Sequence, residues 1–168
     1  EIKKGKKVTS FYQDEHPKNT CLETLSSLPA VFKKDGTVTA GNSSGINDGA
    51  AALILGTKAA ISKNKINPVA KILGYAQTGV RPEVMGIGPV SAVQKLCKKL
   101  HLKISNFDVI ESNEAFAAQA CAVSKELGLD PKKVNPNGGA IALGHPVGAT
   151  GAILTIKAIS ELQRTKTK

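Results

Sequence analysis

The chain has 168 residues, 41% of them hydrophobic, and a formal net charge of +10 from 23 basic and 13 acidic residues. This size and hydrophobic content are sufficient for one folded domain with a sizeable core and exclude a disordered tail. No apolar run of about 18 residues is present and only 4% of the residues are aromatic, so we expect neither a membrane nor a nucleic acid as partner.

The N-terminal region is polar and rich in turn-forming residues. Its pattern predicts a short helix over Thr24–Pro29, closed by the proline, and a turn at Asp35–Gly36 followed by a short strand. The next segment, Gly41–Gly49, is dense in glycine, asparagine and serine. Its hydroxyls and backbone amides could hold a polar ligand, or it could be an ordinary connecting loop, and composition alone leaves both readings open.

An apolar run, Ala50–Leu55, predicts a buried strand, and Thr57–Lys65 predicts a short helix whose lysines face water. Asn67–Pro68 breaks that helix and marks the best internal boundary. From Val69 onward predicted strands and helices alternate. This order predicts an α/β protein with a mostly parallel sheet and crossover helices.

The second half opens with strand, helix and strand, followed by a helix that is apolar on nearly every side and therefore predicted to be buried all round. Gly74 suggests a bulge or a close approach in the first strand, Pro89 suits the first turn of the first helix, and Gly128 is placed to end the apolar helix. The predicted elements are Ala70–Val80, Val90–Leu100, Phe107–Glu111 and Ser112–Val123.

The segment Asn135–Gly151 contains five glycines among its seventeen residues, and they flank a single histidine, His145. Its apolar run Ala140–Leu143 predicts a buried strand, and a helix is predicted after Gly151. Pro146 biases the histidine away from helical geometry. The pattern therefore places an acid/base side chain on an extended corner between a strand and a helix.

Asn113 and His145 each follow a predicted strand. The carboxyl ends of parallel strands meet at one edge of a sheet, where ligands bind, so we expect both side chains to point to the same place. A carboxamide and an imidazole that converge can hold a water or bind a developing oxyanion. Two alternatives remain open on these residues alone: Asn113 as a helix N-cap and His145 as an ordinary loop histidine.

The three cysteines, Cys21, Cys97 and Cys121, form an odd set without metal-ligand spacing. Cys97 and Cys121 lie among apolar residues at helical spacing and are predicted to be core residues. Cys21 lies in a polar loop, and we interpret its thiol as incidental rather than catalytic. We therefore predict no metal site.

Four stretches carry a resemblance to a known family. Gly-Gly-Ala-Ile-Ala-Leu-Gly-His-Pro around His145 resembles the histidine block of the thiolases, and Asn-Glu-Ala-Phe at 113–116 resembles a second thiolase motif. Gly-Asn-Ser-Ser-Gly-Ile-Asn-Asp-Gly-Ala at 41–50 and Met-Gly-Ile-Gly-Pro from Met85 resemble two more. The resemblance covers essentially the whole chain in the right order and spacing.

The resemblance implies an α/β protein with the thiolase-like layered αβαβα fold, in which two similar βαβ halves stack. It assigns residues 1–44 to part of a loop domain that covers coenzyme A (CoA), and residues 45–68 to the last strand and helix of the N-terminal half. Residues 69–168 then form an incomplete C-terminal thiolase domain. The chain would carry part of the loop domain and most of the C-terminal half.

Thiolases condense two acetyl-CoA molecules to acetoacetyl-CoA, or cleave 3-ketoacyl-CoA in reverse, through an acyl-cysteine. By this resemblance His145 activates the nucleophilic cysteine and helps bind the thioester oxygen, and Asn113 holds the water that completes the oxyanion hole. CoA thioesters are then substrates, and no covalently bound cofactor is implied. The CoA-binding residues implied are Ser44 at the pantetheine arm, Phe32, Met85 and Phe116 along the acyl and pantetheine pocket, and Thr24 and Lys18 near the nucleotide.

Both catalytic thiols of the family lie in sequence blocks that this chain does not show. We therefore expect a fragment of an acetyl-CoA C-acetyltransferase, inactive alone, from a cytoplasmic homodimer or homotetramer. The partners implied are acetyl-CoA, acetoacetyl-CoA and CoA. The alternatives are a degradative 3-ketoacyl-CoA thiolase and a non-catalytic module that binds CoA or a nucleotide.

Overall fold

A computed structural model describes residues 1–167 of the chain; Lys168, the last residue of the predicted C-terminal segment, lies outside them. The strands are β1 (Ile2–Lys4) and β2 (Lys7–Thr9). The α-helices are α1 (Leu22–Ser26), α2 (Lys58–Lys63), α3 (Gly88–Leu100), α4 (Ala117–Leu127), α5 (Ala140–Leu143) and α6 (Thr150–Thr165), and 3₁₀ turns cover Pro82–Ile87 and Ile104–Asn106.

The N-terminal region contains two tight turns. Strands β1 and β2 pair antiparallel, with Ile2 opposite Thr9. The predicted turn at Asp35–Gly36 is confirmed, because the Gly36 N–H donates to the Lys33 carbonyl over 2.9 Å and Asp35 has a φ of +60°. The strand expected after it reduces to one antiparallel bridge between residues 30 and 39. Helix α1 begins two residues earlier than predicted and ends before Pro29.

Two helix signals in the sequence, Pro89 and Gly128, are confirmed, and the structure adds a helix cap at Thr57. Thr57 caps α2, its hydroxyl accepting from the Ala60 N–H over 3.2 Å. Pro89 lies in the first turn of α3, where its missing N–H has no helical partner to lose. Gly128 ends α4 with a φ of +61°, a left-handed conformation that glycine adopts without steric strain.

The predicted strands Ala50–Leu55, Ala70–Val80 and Phe107–Glu111 are not formed within residues 1–167. Only Ile110 enters a parallel bridge, with Val134. A strand needs a neighbour for its N–H and C=O groups, and among the described residues the first two segments have none. The close approach predicted at Gly74 is confirmed, since a Cβ there would lie 3.1–3.3 Å from the side chains of Leu96 and Leu100.

Burial is correspondingly sparse. The chain exposes 13157 Å², whereas a compact protein of 17.5 kDa exposes about 7,900 Å². The expectation that Ala50–Leu55 is buried is therefore wrong for this chain, in which Ile54 is 98% exposed. Helix α4 is also not buried all round: Val123 is 2% exposed, but Cys121 faces out, so its prediction as a core residue is wrong.

The expectation of a strand at Ala140–Leu143 is wrong, because these residues form the short helix α5. The Leu143 N–H donates to the Gly139 carbonyl over 3.0 Å and the Gly144 N–H to the Ala140 carbonyl over 2.8 Å. A four-residue apolar run fits either element by pattern, and alanine and leucine both favour helix once flanking contacts allow it.

Three isolated bridges join distant segments around the C-terminal half. Ser43 pairs antiparallel with Phe116, Ile46 pairs parallel with His145, and a third bridge joins residues 110 and 134. These bridges link the loop at 41–49 to both chain segments that carry the predicted catalytic side chains. Within residues 1–167 no helix is long and apolar enough to cross a membrane.

Candidate active site

His145 lies in the turn between α5 and α6, and its backbone is fixed by the loop at 41–49. Its N–H donates to the Gly45 carbonyl and to Asn47 Oδ1, both over 3.1 Å. Pro146 follows, which disfavours helical geometry at the histidine. The imidazole is therefore held on an extended corner, as the sequence predicts.

The hydrogen bonds of His145 assign its tautomer. The ring Nδ1 lies 2.7 Å from Thr150 Oγ1, and the Thr150 hydroxyl donates to the Pro146 carbonyl over 2.9 Å. The hydroxyl proton is thus used, so Thr150 Oγ1 accepts from Nδ1–H. Thr150 is only 8% exposed. This assignment leaves the lone pair of the neutral ring on Nε2, which points away from α6.

Asn113 meets that lone pair. Its Nδ2 lies 3.3 Å from His145 Nε2 and is the donor in the assigned tautomer. The predicted convergence of the two side chains is present, although His145 follows a helix rather than a strand. Asn113 is not a helix cap, because α4 begins at Ala117 and its N-cap is Phe116.

The carboxamide oxygen of Asn113 is buried and has no hydrogen-bond partner among the described residues. A buried amide oxygen without a partner is uncommon, because leaving it unpaired costs about 1–3 kcal/mol. A position beside this oxygen is therefore suited to a water or a ligand donor.

Two glycines allow this turn to close. Gly144 has a φ of +95°, and a Cβ there would overlap the carboxamide of Asn47. At Gly49 a Cβ would lie 2.7 Å from Pro146 Cγ. Both positions need glycine because another segment passes against the backbone.

The turn before His145 is anchored by Asn135, which is 9% exposed and has a φ of +45°. Its Oδ1 accepts from the Ser112 N–H and its Nδ2 donates to the Ser112 carbonyl, both over 2.8 Å. The same Nδ2 donates to Glu114 Oε1 over 3.1 Å. One side chain thus ties the loop leading to His145 to the segment that carries Asn113.

A charged pair supports the same loop from α6. Lys157 Nζ donates to the Gly138 carbonyl over 2.5 Å and lies 3.0 Å from Glu111 Oε2. The Glu111 side chain is 3% exposed. Its oxygens make no well-directed hydrogen bond within residues 1–167, so the attraction between the two charges holds this carboxylate.

Glu161, 4% exposed, forms a second anchor on α6. Its carboxylate accepts from Arg164 Nη2 over 2.6 Å, from Arg164 Nε over 2.9 Å and from Asn137 Nδ2 over 2.8 Å. The hydrogen bonds from Arg164, then that from Asn137, lower the pKa of Glu161 to about 2, against the opposing effect of burial. The carboxylate is ionised throughout the neutral range.

The predicted CoA-binding residues divide into two groups. In the first, the Ser44 N–H donates to the Ala115 carbonyl over 3.0 Å, which brings Ser44 beside the Asn113 segment. Phe32 and Phe116 are in edge-to-face contact, with ring centroids 5.8 Å apart. These three predicted residues therefore lie on one connected surface with Asn113.

No hydrogen bond or ring contact in residues 1–167 joins the second group, Met85, Thr24 and Lys18, to that surface. Met85 is 75% exposed in its 3₁₀ turn. The Thr24 hydroxyl lies 3.2 Å from Cys21 Sγ, and Lys18 is an exposed loop residue.

No thiol accompanies the imidazole. Among residues 1–167, Cys21 and Cys121 are exposed and Cys97 is partly buried, and none is hydrogen-bonded to His145. The described part of the chain also holds no group of three or more His, Cys, Asp or Glu side chains that could bind a metal.

Sequence reasoning missed the residues that orient this pair. Thr150, Asn47, Asn135 and Glu114 contact it or its supporting turn. Asn47 and Glu114 lie inside two of the thiolase-like motifs, but no role is predicted from the sequence for any of the four residues. The one signal available was the density of asparagine beside glycine, which marks backbone held by side-chain amides.

Comparison with known proteins defines the family. Family models described as "Thiolase, N-terminal domain" and "Thiolase, C-terminal domain" match residues 1–59 and 66–168. The chain therefore belongs to the thiolase family. It spans 41–43% of the length of the curated relatives first matched.

Individual relatives include a β-ketoadipyl-CoA thiolase of Pseudomonas knackmussii, 55% identical over 96% of this chain and 41% of that protein. The Bacillus anthracis acetyl-CoA acetyltransferase superposes with a TM-score of 0.91 at 46% identity, over 99% of this chain and 43% of the other. Human mitochondrial 3-ketoacyl-CoA thiolase in complex with CoA gives 0.85 at 48% identity, over 92% and 40%. The described residues thus carry the thiolase-like α/β fold.

Proposed function

We propose that this chain supplies the histidine–asparagine part of a thiolase active site, in an enzyme that transfers an acyl group between a 3-ketoacyl-CoA and CoA. In the biosynthetic direction the same enzyme joins two acetyl-CoA molecules to acetoacetyl-CoA. The observation that carries the proposal is the 3.3 Å contact between Asn113 Nδ2 and His145 Nε2, beside a buried and unpartnered Asn113 oxygen.

His145 acts as the base in this proposal. Thr150 holds the proton on Nδ1, which leaves the Nε2 lone pair as the acceptor of the ring. This lone pair accepts from Asn113 Nδ2 in the structure, and it can instead accept a proton from a thiol and return it later. Once Nε2 has taken the proton, it becomes a donor directed at the reacting carbonyl. The hydrogen bond to the buried Thr150 hydroxyl disfavours the other tautomer, in which the proton is on Nε2.

Asn113 supplies the second contact to the reacting carbonyl. Its Oδ1 accepts a hydrogen from a water, and that water donates its other hydrogen to the thioester oxygen. Removing one hydrogen-bond donor that is preorganised where negative charge develops raises the activation barrier by about 3–4 kcal/mol. The unpartnered oxygen is the physical feature that favours a bound water at this position.

CoA would lie on the surface formed by Ser44, Phe32 and Phe116. The two rings offer an apolar wall to the pantetheine arm and the acyl group, and Ser44 offers a hydroxyl to an amide of that arm. Human 3-ketoacyl-CoA thiolase, a relative at 48% identity, has been solved in complex with CoA, which supports this ligand. Thr24 and Lys18 stay weaker candidates and Met85 now joins them, because no described contact joins these three residues to this surface.

Both thiols must come from outside the three cysteines of this chain. The family resemblance assigns a nucleophilic cysteine and a second, proton-transferring cysteine to other blocks. This chain alone is therefore expected not to catalyse thiolysis of acetoacetyl-CoA by CoA.

The proposal is tested on the full-length protein. His145→Ala should lower kcat for thiolysis of acetoacetyl-CoA by about 100-fold or more, and Asn113→Ala by about 100- to 1,000-fold. Binding of CoA, followed by calorimetry, should persist in both variants. Unchanged turnover in His145→Ala would refute the proposal, and robust turnover by residues 1–168 alone would show that the nucleophile lies in this chain.

A degradative 3-ketoacyl-CoA thiolase is the second candidate. It is favoured by relatives of that name at 48–50% identity in mammals. The ratio of kcat/KM for a long-chain 3-ketoacyl-CoA to that for acetoacetyl-CoA separates the two: a ratio above one supports the degradative enzyme, and a ratio well below one supports the biosynthetic one.

A non-catalytic CoA-binding module is the third reading, and retained CoA binding with no turnover in the full-length wild type would support it. A cytoplasmic homodimer or homotetramer remains our expectation for the full-length protein. Relatives from mitochondria as well as bacteria match the chain. Light scattering and cell fractionation test these two points.

A further inference from the structure

The backbone N–H and the backbone carbonyl of Ile141 are each held by a side chain that the proposed chemistry does not use. Its N–H donates to Glu114 Oε2 over 3.3 Å, and its carbonyl accepts from His16 Nε2 over 2.9 Å. Glu114 directly follows Asn113, whereas His16 comes from the N-terminal loop, 125 residues earlier than Ile141. Three distant segments therefore meet at one peptide, four residues before His145.

The Glu114 carboxylate is itself fixed. Its Oε1 accepts from Asn135 Nδ2 over 3.1 Å, and Asn135 in turn binds both backbone groups of Ser112. Gly139 passes so close that a Cβ there would overlap the carboxylate. A charged acceptor makes a stronger hydrogen bond to an N–H than a neutral one, so this contact is well suited to hold a backbone in place.

His16 is seated on the residue that holds His145. A Cβ at Gly45 would lie 2.6 Å from His16 Cε1, and the Gly45 carbonyl accepts from the His145 N–H over 3.1 Å. His16 is partly buried, while its neighbours in the loop are exposed. Its ring therefore touches both the support of the catalytic turn and the peptide that precedes it.

We propose that Glu114 and His16 clamp the Ile141 peptide and are positioning residues that set where His145 presents Nε2. The effect is transmitted through α5, whose hydrogen bonds from Leu143 and Gly144 reach back to Gly139 and Ala140. A shift of Ile141 moves this single turn, and His145 follows it. The predicted effect on turnover rests on the proposed function; the mechanical part of the proposal does not.

The mechanical part is tested by hydrogen exchange, measured by mass spectrometry on the full-length protein. Glu114→Ala and His16→Ala should each speed exchange of a peptide covering 138–146 by about tenfold, with the α6 peptide unchanged. Glu126→Ala and His101→Asn, exposed residues of the same types, serve as controls and should change neither peptide. Equal acceleration in every peptide, or none in 138–146, would overturn the clamp.

The kinetic part uses thiolysis of acetoacetyl-CoA by the full-length variants. Both alanine variants should lower kcat by about 10- to 100-fold, because a displacement of about 1 Å is sufficient for that loss. KM for CoA should stay within about twofold. His16→Gln, whose amide N–H can replace Nε2–H, should restore most of kcat. Glu114→Gln should restore only part of it, because its single amide oxygen replaces only one of the two carboxylate oxygens that accept from the Ile141 N–H and Asn135 Nδ2.

Unchanged kcat in both alanine variants would refute the positioning role. The positioning role would also be refuted if His16→Gln had no higher kcat than His16→Ala although the two variants unfold at the same temperature. If His145→Ala itself keeps turnover, the proposed function fails, and the exchange experiment still decides whether the clamp exists.

Discussion

The site region, residues 107–165, and the apolar segment, residues 50–75, have similar hydrophobic patterns in the sequence but differ in structure. Both are rich in aliphatic residues and both were predicted to bury strands. In the site region, side chains such as Asn135 and Asn47 bond to the backbone of other segments and hold those segments together. The apolar segment has no such anchors, and Ile54, Leu55 and Tyr75 are 98%, 74% and 78% exposed.

The difference shows what each kind of residue can specify. An aliphatic side chain favours burial but does not select a partner, so its segment stays exposed unless a complementary surface is present. A buried asparagine or glutamate needs particular donors and acceptors, and the geometry of a single contact is then fixed. The site region is accordingly defined by polar contacts within this chain.

The largest effect is expected from removing the central anchor. Asn135→Ala deletes three hydrogen bonds and leaves both backbone groups of Ser112 and Glu114 Oε1 without these partners. Because each loss costs about 1 kcal/mol, the free energy of unfolding of the full-length protein should fall by about 3 kcal/mol, measured in urea. Asn67→Ala, in an exposed loop, is the control. A loss of less than about 1 kcal/mol would mean that polar anchors do not distinguish the site region.

The next effect concerns the backbone beside His145. Gly144→Ala places a Cβ at a φ of +95° and against Asn47, so we expect a loss of about 2 kcal/mol and reduced turnover. Gly148→Ala meets open space and serves as the matched control. Equal urea midpoints for the two variants would contradict the prediction.

Some of these features could be predicted from sequence and others could not. Local chemistry was sufficient for the first turn of α3 at Pro89, the Gly128 helix end and the Asp35–Gly36 turn, because each depends on a few adjacent residues. The meeting of Asn113 and His145 followed from the expected chain order and the family resemblance. The local features can be predicted because the residue type itself favours the conformation observed.

The failures have a physical cause as well. Ala140–Leu143 became a helix because tertiary contacts decide short apolar runs. The strands at 50–55 and 70–80 did not form because no pairing partner is present among the described residues. Thr150 and Glu114 escaped notice because a side chain that orients a catalytic group can be any donor or acceptor at the right distance, and distance between remote residues is not written in the local sequence.

A smaller effect, which is present at neutral pH and fades in acid, is expected on α6. The pKa of Glu161 is lowered from its ordinary value of 4.5 to about 2, so the folded state gains stability from the ionised carboxylate above about pH 4.5 and loses it as the pH falls toward 2. Glu161→Gln should therefore destabilise the protein at pH 7, with a difference from wild type that shrinks by pH 3. Urea midpoints at the two pH values measure this, with Glu126→Gln as control; a constant difference would contradict it.

The smallest effect is expected in the apolar segment. Ile54→Asn should change the stability of residues 1–168, followed by circular dichroism in urea, by less than about 0.5 kcal/mol, because an exposed side chain has no contacts to lose. Val123→Ala, a truncation of a buried residue, should cost about 1.6 kcal/mol or more, from two methyl-sized groups and the cavity they leave. The same Ile54→Asn change in the full-length protein sharpens the contrast. A loss of about 2 kcal/mol there would show that a surface outside this chain covers the segment, whereas a null result would mean that the aliphatic pattern at 50–55 serves no buried contact at all.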